Sequence, residues 1–533
     1  MPNPFFYGAP VPVDLFLDRE REMRRVTGRI VNWGQSTAIV GEPRGGKTSL
    51  LTYLESAEAQ ARFYGSKGER LLFSYLDAQT LGGQFCQAQF WEYALRPLYE
   101  QIIAPNPDSL LARAYGLCQE NEFGAFVLER LFAQMVPTGR RLVLMLDEFD
   151  VLLHHPILNC AEFFGSLRSL ATRSQGALAL IIASRRSLAS LNKATQQFSR
   201  MGSPYFNFLS EITLGPLPYK AIAGLLRRAE GRFTLDDCRF IREIAGGHPY
   251  LLQVAASEQW EAYGEGERDT CRRWQQVGQS LYEEATLTLS DTWQFWVPAV
   301  RWAFTTVALN HMSYLLNLDI DGGGAAEKTP THTDLIKLFE TLDKRFGEDD
   351  LQTLCFYLDV DYDDLPAGGR ATKTRGLISY LRRRERISDL LEVGEKLRPD
   401  VAWEATLEVN GTNSGWLGVL PEHSLIRDFE PELRMLTKQG FVAEDAAVPG
   451  QRRVRPQAFL WWLADELVRA KRERGALDDW LQEQEVDGLL TQDGRKGWCE
   501  AVCTVCDRLK DGSKMLIEVA ADGAAQATAK GIV

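Results

Sequence analysis

The residues Gly41-Glu42-Pro43-Arg44-Gly45-Gly46-Lys47-Thr48 follow a short apolar stretch, Thr37–Val40, and have the types and spacing of a phosphate-binding loop. Each type answers a physical need. The glycines let backbone N–H groups turn inward around phosphate oxygens, Lys47 brings a positive charge to the β- and γ-phosphates, and the Thr48 hydroxyl suits a Mg²⁺ shell. The stretch from Ser49 to Leu54 reads as a helix whose positive end faces the phosphates. The whole loop and Ser49 are therefore candidate nucleotide contacts.

A second half of the site is found independently. Leu142–Leu146 is a continuous apolar run, as expected of a strand buried on both faces of a parallel sheet. It ends in Asp147-Glu148-Phe149-Asp150. A carboxylate there suits the metal and a second beside it can polarise water, so Asp147 is the candidate metal residue, with Thr48, and Glu148 the candidate base. Asp150 reads more simply as a helix cap.

The elements that must hold these residues alternate. Strand-like runs at Thr37–Val40, Leu71–Leu76, Leu142–Leu146, Leu178–Ser184 and Glu211–Leu214 are separated by helical stretches, which implies an α/β fold with a parallel sheet and right-handed crossovers. The fourth run ends in Ser184-Arg185-Arg186, where an arginine could reach the γ-phosphate or lie in a surface loop; Arg185 is the candidate catalytic cation. Asp77, after the second run, reads as a cap. Beyond Gly215-Pro216 the pattern turns helical, with stretches at Lys220–Glu230, Leu235–Ile244, Tyr250–Tyr263 and Leu281–Leu309.

Composition bounds the class. The 533 residues are enough for two to four domains. Apolar residues make up 45% and charged residues 25%, as in an ordinary soluble protein. No apolar run reaches the length of a membrane span, and the N-terminus lacks the pattern of a signal peptide. Nine scattered cysteines fit reduced thiols and a cytoplasmic setting. A net charge of −12 argues against nucleic acid or anionic membrane as the general partner.

The loop at 41–48, the pair Asp147-Glu148 and the element Gly246-Gly247-His248-Pro249 together resemble the STAND-class ATPases, signalling relatives of the AAA+ enzymes. The opening segment, Asn3-Pro4-Phe5 through Asp18-Arg19-Glu20, is similar to the adenine-side segment of that class, with Asp18 where a glycine is usual. The resemblance covers about residues 1–300. It implies a P-loop ATPase with a helical lid, ATP/ADP and Mg²⁺ as ligands, Arg19 on the adenine side, and His248 and Pro249 coupling the lid to nucleotide.

Asp319–Pro330 reads as a linker. The helical segment 333–399 follows, and its pattern from Asp334-Leu335 through Leu351–Tyr362 to Leu365-Pro366 resembles the death-like effector-associated domains of bacterial conflict systems, which act as homotypic adaptors. Its first half, Asp334–Asp364, holds ten acidic and three basic residues, and its second, Leu365–Pro399, four and nine, a polarity suited to head-to-tail stacking. A solvated helical decoration is the plainer alternative. After a loop at Asn410–Gly415, the apolar residues Leu433, Leu436 and Phe441, a turn at Pro449-Gly450, the basic strand Arg452–Arg455 and the helix Phe459–Val468 look like a winged helix into or before which 333–399 is inserted. The expected organisation is thus a core at 1–215, lid and start of the winged helix at 216–318, insert at 333–399, winged helix at 400–470, helical segment at 471–519 and a disordered tail at 520–533.

Two motifs are set aside. Asp359–Asp364 begins like a calcium loop but has Asp364 at the sixth position and Arg370 at the twelfth. Cys499, Cys503 and Cys506 share one helix face with Trp498 and Val502, which favours packing over a metal cluster. The expectation is an ATP-driven switch, acting with a separate effector or adaptor that carries a similar domain and with ATP-dependent self-association. Its rival is a DNA-associated ATPase using Arg452, Arg453 and Arg455; a scaffold that binds ATP without turnover is a third reading.

Overall fold

The computed structural model describes residues 2–198, 204–316, 332–358, 368–383, 429–444, 452–472, 480 and 492–529, with isolated positions at 360, 362, 365, 390, 393, 394, 397 and 398. The linker at 319–330, the loop at 410–415 and the turn at 449–450 lie outside them, as do Asp359, Asp361, Asp363 and Asp364 of the calcium-like run.

The five expected strands form. They are β1 (Thr37–Val40), β2 (Leu71–Asp77), β3 (Arg141–Asp147), β4 (Leu178–Ser184) and β5 (Ser210–Thr213), all parallel in the order β2-β3-β4-β1-β5. The apolar runs in β3 and β4 are buried throughout because alternate residues enter two different cores. Leu142, Leu144 and Leu146 face one core, whereas Val143 and Met145 face the other, beside Ile39, Ile181 and Ile212. Side chains alternate across a strand, so a sheet covered on both sides requires this continuous hydrophobicity. The register pairs Val40 with Ser184 and Asp77 with Asp147, which brings the strand ends that carry the chemistry to one edge.

Helix α1 (Glu20–Trp33) precedes the sheet and α2 (Lys47–Glu55) follows β1. After Gly215 come α3 (Tyr219–Leu226), α4 (Leu235–Ala245), α5 (Pro249–Glu265), α6 (Thr270–Phe295) and α7 (Pro298–Leu315). The single helical stretch expected over Leu281–Leu309 is thus two helices. Pro298 disfavours a helical residue before it, so the chain turns at Trp296-Val297 and restarts with proline in the first turn, where its missing N–H costs nothing.

The segment after the linker forms α8 (His332–Arg345), α9 (Glu348–Tyr357) and α10 (Arg370–Arg383) around a core of its own that includes Leu338, Leu342, Leu354, Leu377 and Leu381. Its acidic and basic halves meet inside the fold: Arg370 lies 3.5 Å from Asp343, and Arg398 lies 3.1 Å from Asp350. Part of the charge available for stacking is therefore spent on internal pairs.

Helix α11 (Glu430–Gln439), the antiparallel hairpin β6 (Val442–Glu444) and β7 (Arg452–Val454), and α12 (Gln457–Arg472) pack against α7. Leu433, Leu436 and Phe441 are buried there. Because α7 precedes the 335–399 segment and α11 follows it, that segment interrupts a unit whose parts pack together. Helix α13 (Gln492–Arg508) buries Trp498, Val502 and Cys506, with Cys499 and Cys503 half-buried. Helix is expected up to residue 519 and disorder from 520, but the helix runs on through 520–529. Residues 513–529 form helix α14 (Ser513–Ala529), which lays Leu516, Ile517 and Ala521 against α6, Ile517 meeting the backbone at Gly278. Its alanines favour helix and their small side chains permit close packing.

Candidate functional site

The loop 41–48 leaves β1 with Gly41 N–H bonded to Ser184 O at 3.2 Å, turns through Arg44 (φ 54°) and Gly46 (φ 90°), and opens α2 at Lys47. The lysine is only 4% exposed, and its Nζ donates to the carbonyls of Gly41 at 3.0 Å and Glu42 at 3.1 Å. Burial pushes its pKa down, opposed by the more distant carboxylates of Glu148, Glu42 and Asp147. A buried cation hydrogen-bonded, among the described residues, to two carbonyls and standing beside a helix N-terminus fits an anionic phosphate chain. With Thr48 on the first turn of α2 and Asp147 at the end of β3, the residues present also fit Mg²⁺, whose hard charge takes oxygen ligands.

Asp147 is 1% exposed and fixed at both oxygens. Tyr75 donates its hydroxyl hydrogen to Oδ2 at 3.0 Å and Glu148 its backbone N–H to Oδ1 at 2.9 Å. Glu148 itself is in the left-handed conformation at φ 45°, which swings its side chain off the strand line. Burial raises its carboxyl pKa, while Lys47 and Arg185 pull it down. Arg185 Nε lies 3.5 Å from Glu148 Oε2, and the Arg185 backbone N–H donates to Asp150 Oδ1 at 3.0 Å. Asp150 therefore steadies the end of β4 rather than capping a helix. Since β4 lies between β1 and β3, its end falls between the loop and the acidic pair. Asp77 caps a turn, accepting from Gln79 N–H at 2.9 Å, as expected.

The lid meets the loop from the other side. His248 Nε2 lies 3.2 Å from Pro43 O; a carbonyl only accepts, so that nitrogen carries the hydrogen. Burial, reinforced by Arg19, Lys47 and Arg44, lowers the His248 pKa to about 4, so the ring is neutral. Pro249 opens α5, and the Arg44 guanidinium lies 4.2 Å from the centre of the Tyr250 ring. Ser49 Oγ accepts Val11 N–H at 3.1 Å and so ties the N-terminal segment to α2. Arg19, buried, donates to Gly215 O at 2.8 Å and pins the joint between sheet and lid. That joint is crowded: a Cβ on Gly247 would meet Pro216 Cβ at 2.5 Å, and one on Gly440 (φ 87°) would meet Pro216 Cγ at 2.7 Å.

Sequence reasoning missed three participants. Tyr75 gave no signal because its role depends on strand neighbours. The Glu42 carboxyl, 6% exposed, was read only as part of the loop, yet it turns into the protein, where burial raises its pKa to about 7 against the pull of Lys47, Trp296 and Arg185. Trp296 became visible only with the helix break. The wing arginines are not all free: Arg452 pairs with Glu430 at 3.1 Å.

Residues 9–263 match the family described as AAA-like domain, and residues 335–399 match effector-associated domain 7. No curated protein matches the chain. Among solved structures, the chain is similar to a Walker-type ATPase of Pyrococcus abyssi (14% identity, TM-score 0.36, covering 84% of this chain and 96% of that one). It is also similar to the ADP form of the Aeropyrum pernix ORC2 protein (14% identity, TM-score 0.34, covering 74% and 97%). A third is a signal transduction ATPase with numerous domains (STAND) protein with a tetratricopeptide repeat sensor from Pyrococcus horikoshii (15% identity, TM-score 0.30, covering 93% and 68%). Among the described residues no helix is long and apolar enough to cross a membrane. The loop, the acidic strand end and the sheet order are those of a P-loop NTPase fold, in a stretch similar to the AAA-like domain and on the same chain as a segment similar to effector-associated domain 7.

Proposed function

We propose that the protein is an ATP-driven signalling switch of bacterial defence, whose nucleotide state controls self-association and recruitment of a separate effector through residues 335–399. The observation that carries this reading is Lys47, a buried cation whose hydrogen-bond partners among the described residues are two carbonyls, in a loop that the lid grips through His248 and Tyr250. Such a loop is built both to take phosphate and to report it. Lys47 and the α2 N-terminus would hold the phosphates, and Thr48 and Asp147 would hold Mg²⁺, which supplies charge neutralisation when bound. Glu148, held by Arg185, would take a proton from the attacking water as the bond between the γ-phosphorus and the ADP oxygen breaks.

The position of the effector-associated domain supports an output on a partner. It interrupts a unit formed by α7, α11, β6, β7 and α12, which we read as the winged helix. Movement of that unit would carry the domain with it. Arg452, already paired with Glu430, is withdrawn from the DNA-binding alternative. The test is solution mass and phosphate release with ATP and with ADP for wild type, Lys47→Ala and Glu148→Gln. The switch reading expects turnover that both variants lose, and a mass that depends on nucleotide in the wild type. Identical monomers with no hydrolysis in any sample would overturn it.

A further inference from the structure

Resting on that reading, we propose that Arg44 of the phosphate loop and Tyr250 of the lid form a gate that sets how fast nucleotide enters and leaves the site. The Arg44 guanidinium lies 4.2 Å from the centre of the Tyr250 ring, within the range of a cation–π pair. One residue earlier in the loop, Pro43 O accepts from His248 Nε2 at 3.2 Å. Two neighbouring loop residues are thus held by two residues at the start of α5, His248 at its N-cap position and Tyr250 in its first turn.

Both partners are fixed from behind. Tyr250 is 6% exposed, and its hydroxyl bonds to Glu284 of α6, 3.2 Å from the carbonyl oxygen and 3.1 Å from Oε1. Tyr7 meets the same ring edge-on, with centroids 6.2 Å apart. The ring is therefore a platform that moves only when α5 moves relative to α6. Arg44 stands at φ 54°, a left-handed conformation unfavourable for a residue with a Cβ, and the stack on Tyr250 offsets part of that cost. His248 and Tyr250 sit on one helical turn, so a lid that swings off the loop breaks both contacts at once. Neither contact includes an atom of the nucleotide. Each is therefore available whether the site is empty or filled, and is lost only while the lid is open for passage. A contact of that kind slows entry and release by the same factor and leaves affinity unchanged. An arginine that merely attracts phosphate acts otherwise, since its charge speeds entry and slows release.

The experiment follows ADP labelled on the ribose with an N-methylanthraniloyl group, by stopped flow on the full chain with Mg²⁺. Tyr250→Leu removes the ring and no charge. It should speed entry and release alike, each about fivefold as one cation–π pair provides, with the Kd unchanged. Tyr250→Phe keeps the ring face and should stay near the wild-type rates. In an Arg44→Ala background, Tyr250→Leu should change neither rate. Arg44→Ala alters an exposed side chain and so guards against failure of Tyr250→Leu to fold. It should also speed entry, whereas loss of a positive charge alone would slow it. Wild-type rates in Tyr250→Leu, faster release at unchanged entry, or slower entry in Arg44→Ala would overturn the gate and leave the ATPase reading intact. A wild type that binds neither the labelled ADP nor, by calorimetry, ADP itself would overturn both.

Discussion

Tyr75 and Asp147 are joined across two neighbouring parallel strands: the phenol donates to Oδ2 at 3.0 Å, while the Glu148 backbone N–H takes Oδ1 at 2.9 Å. The register pairs Asp77 with Asp147, so Tyr75, two residues earlier, points to the same face. In the role toward Mg²⁺ proposed for Asp147, an outer partner of this kind would hold the carboxylate in one orientation. Tyr75→Phe keeps the ring and removes the donor. At fixed ATP, the Mg²⁺ concentration for half-maximal turnover should rise about tenfold, whereas ATP binding in excess chelator should not change. A merely structural tyrosine would lower stability and leave the Mg²⁺ dependence in place.

Arg185 and Glu148 give a second prediction, in the pH profile of turnover. The arginine, with Lys47, lowers the Glu148 pKa against the effect of burial, and in its proposed role as base Glu148 must be unprotonated to work. Removing the cation in Arg185→Ala should raise that pKa and move the acid limb of the kcat profile to higher pH. Glu148→Gln should lower kcat about 100-fold or more with nucleotide affinity kept. If the acid limb in Arg185→Ala stays where the wild type has it, the pair does not set the base.

Glu42 should make the nucleotide-free protein sensitive to alkali. Its carboxyl moves from an ordinary value of 4.5 to about 7, so the native state holds the proton more tightly than the unfolded chain. The stabilisation from this is full below 4.5, is lost as pH rises from 4.5 to about 7, and is absent above. Relative to wild type, Glu42→Gln should gain up to about 3 kcal/mol on going from pH 4.5 to pH 8. His248 titrates in both proteins and cancels in the difference. Equal thermal shifts at the two pH values would show that the carboxyl is not buried as described.

The parts of this molecule that were legible in the sequence are those governed by local rules. β1 and β4 lie where their apolar runs predict, and β2, β3 and β5 differ by a residue or so at their ends; burial is continuous in β1, β4 and β3 from Leu142 on, whereas β2 alternates and β5 buries Ile212 alone. The turn from β1 into α2 was legible because the glycines at 41, 45 and 46 and the residues after them mark a strand giving way to a helix. What escaped depends on which strands and helices become neighbours. Tyr75 matters through β3, and Trp296 matters through a turn that the apolar pattern of Leu281–Leu309 ran straight across. The stretch from Ala520 to Ala529 escaped for a related reason: it continues a helix that packs on α6, and no local pattern shows that neighbour.

Pro216 gives the last prediction, since the lid and the C-terminal unit both close on it. A Cβ at Gly247 would lie 2.5 Å from Pro216 Cβ, and one at Gly440, already at φ 87°, would lie 2.7 Å from Pro216 Cγ. Neither proline atom can yield, because the ring is rigid and its residue links sheet to lid. Gly247→Ala and Gly440→Ala should each destabilise the protein by about 1–3 kcal/mol, Gly440→Ala also paying the left-handed backbone strain. Because both substitutions push the same ring, the double variant should lose less than the sum of the two. Restoring room with Pro216→Gly should recover part of the loss in Gly247→Ala. Thermal unfolding of the single, double and rescue variants reads all of this, and strict additivity without rescue would mean that the two glycines do not share a wall at Pro216.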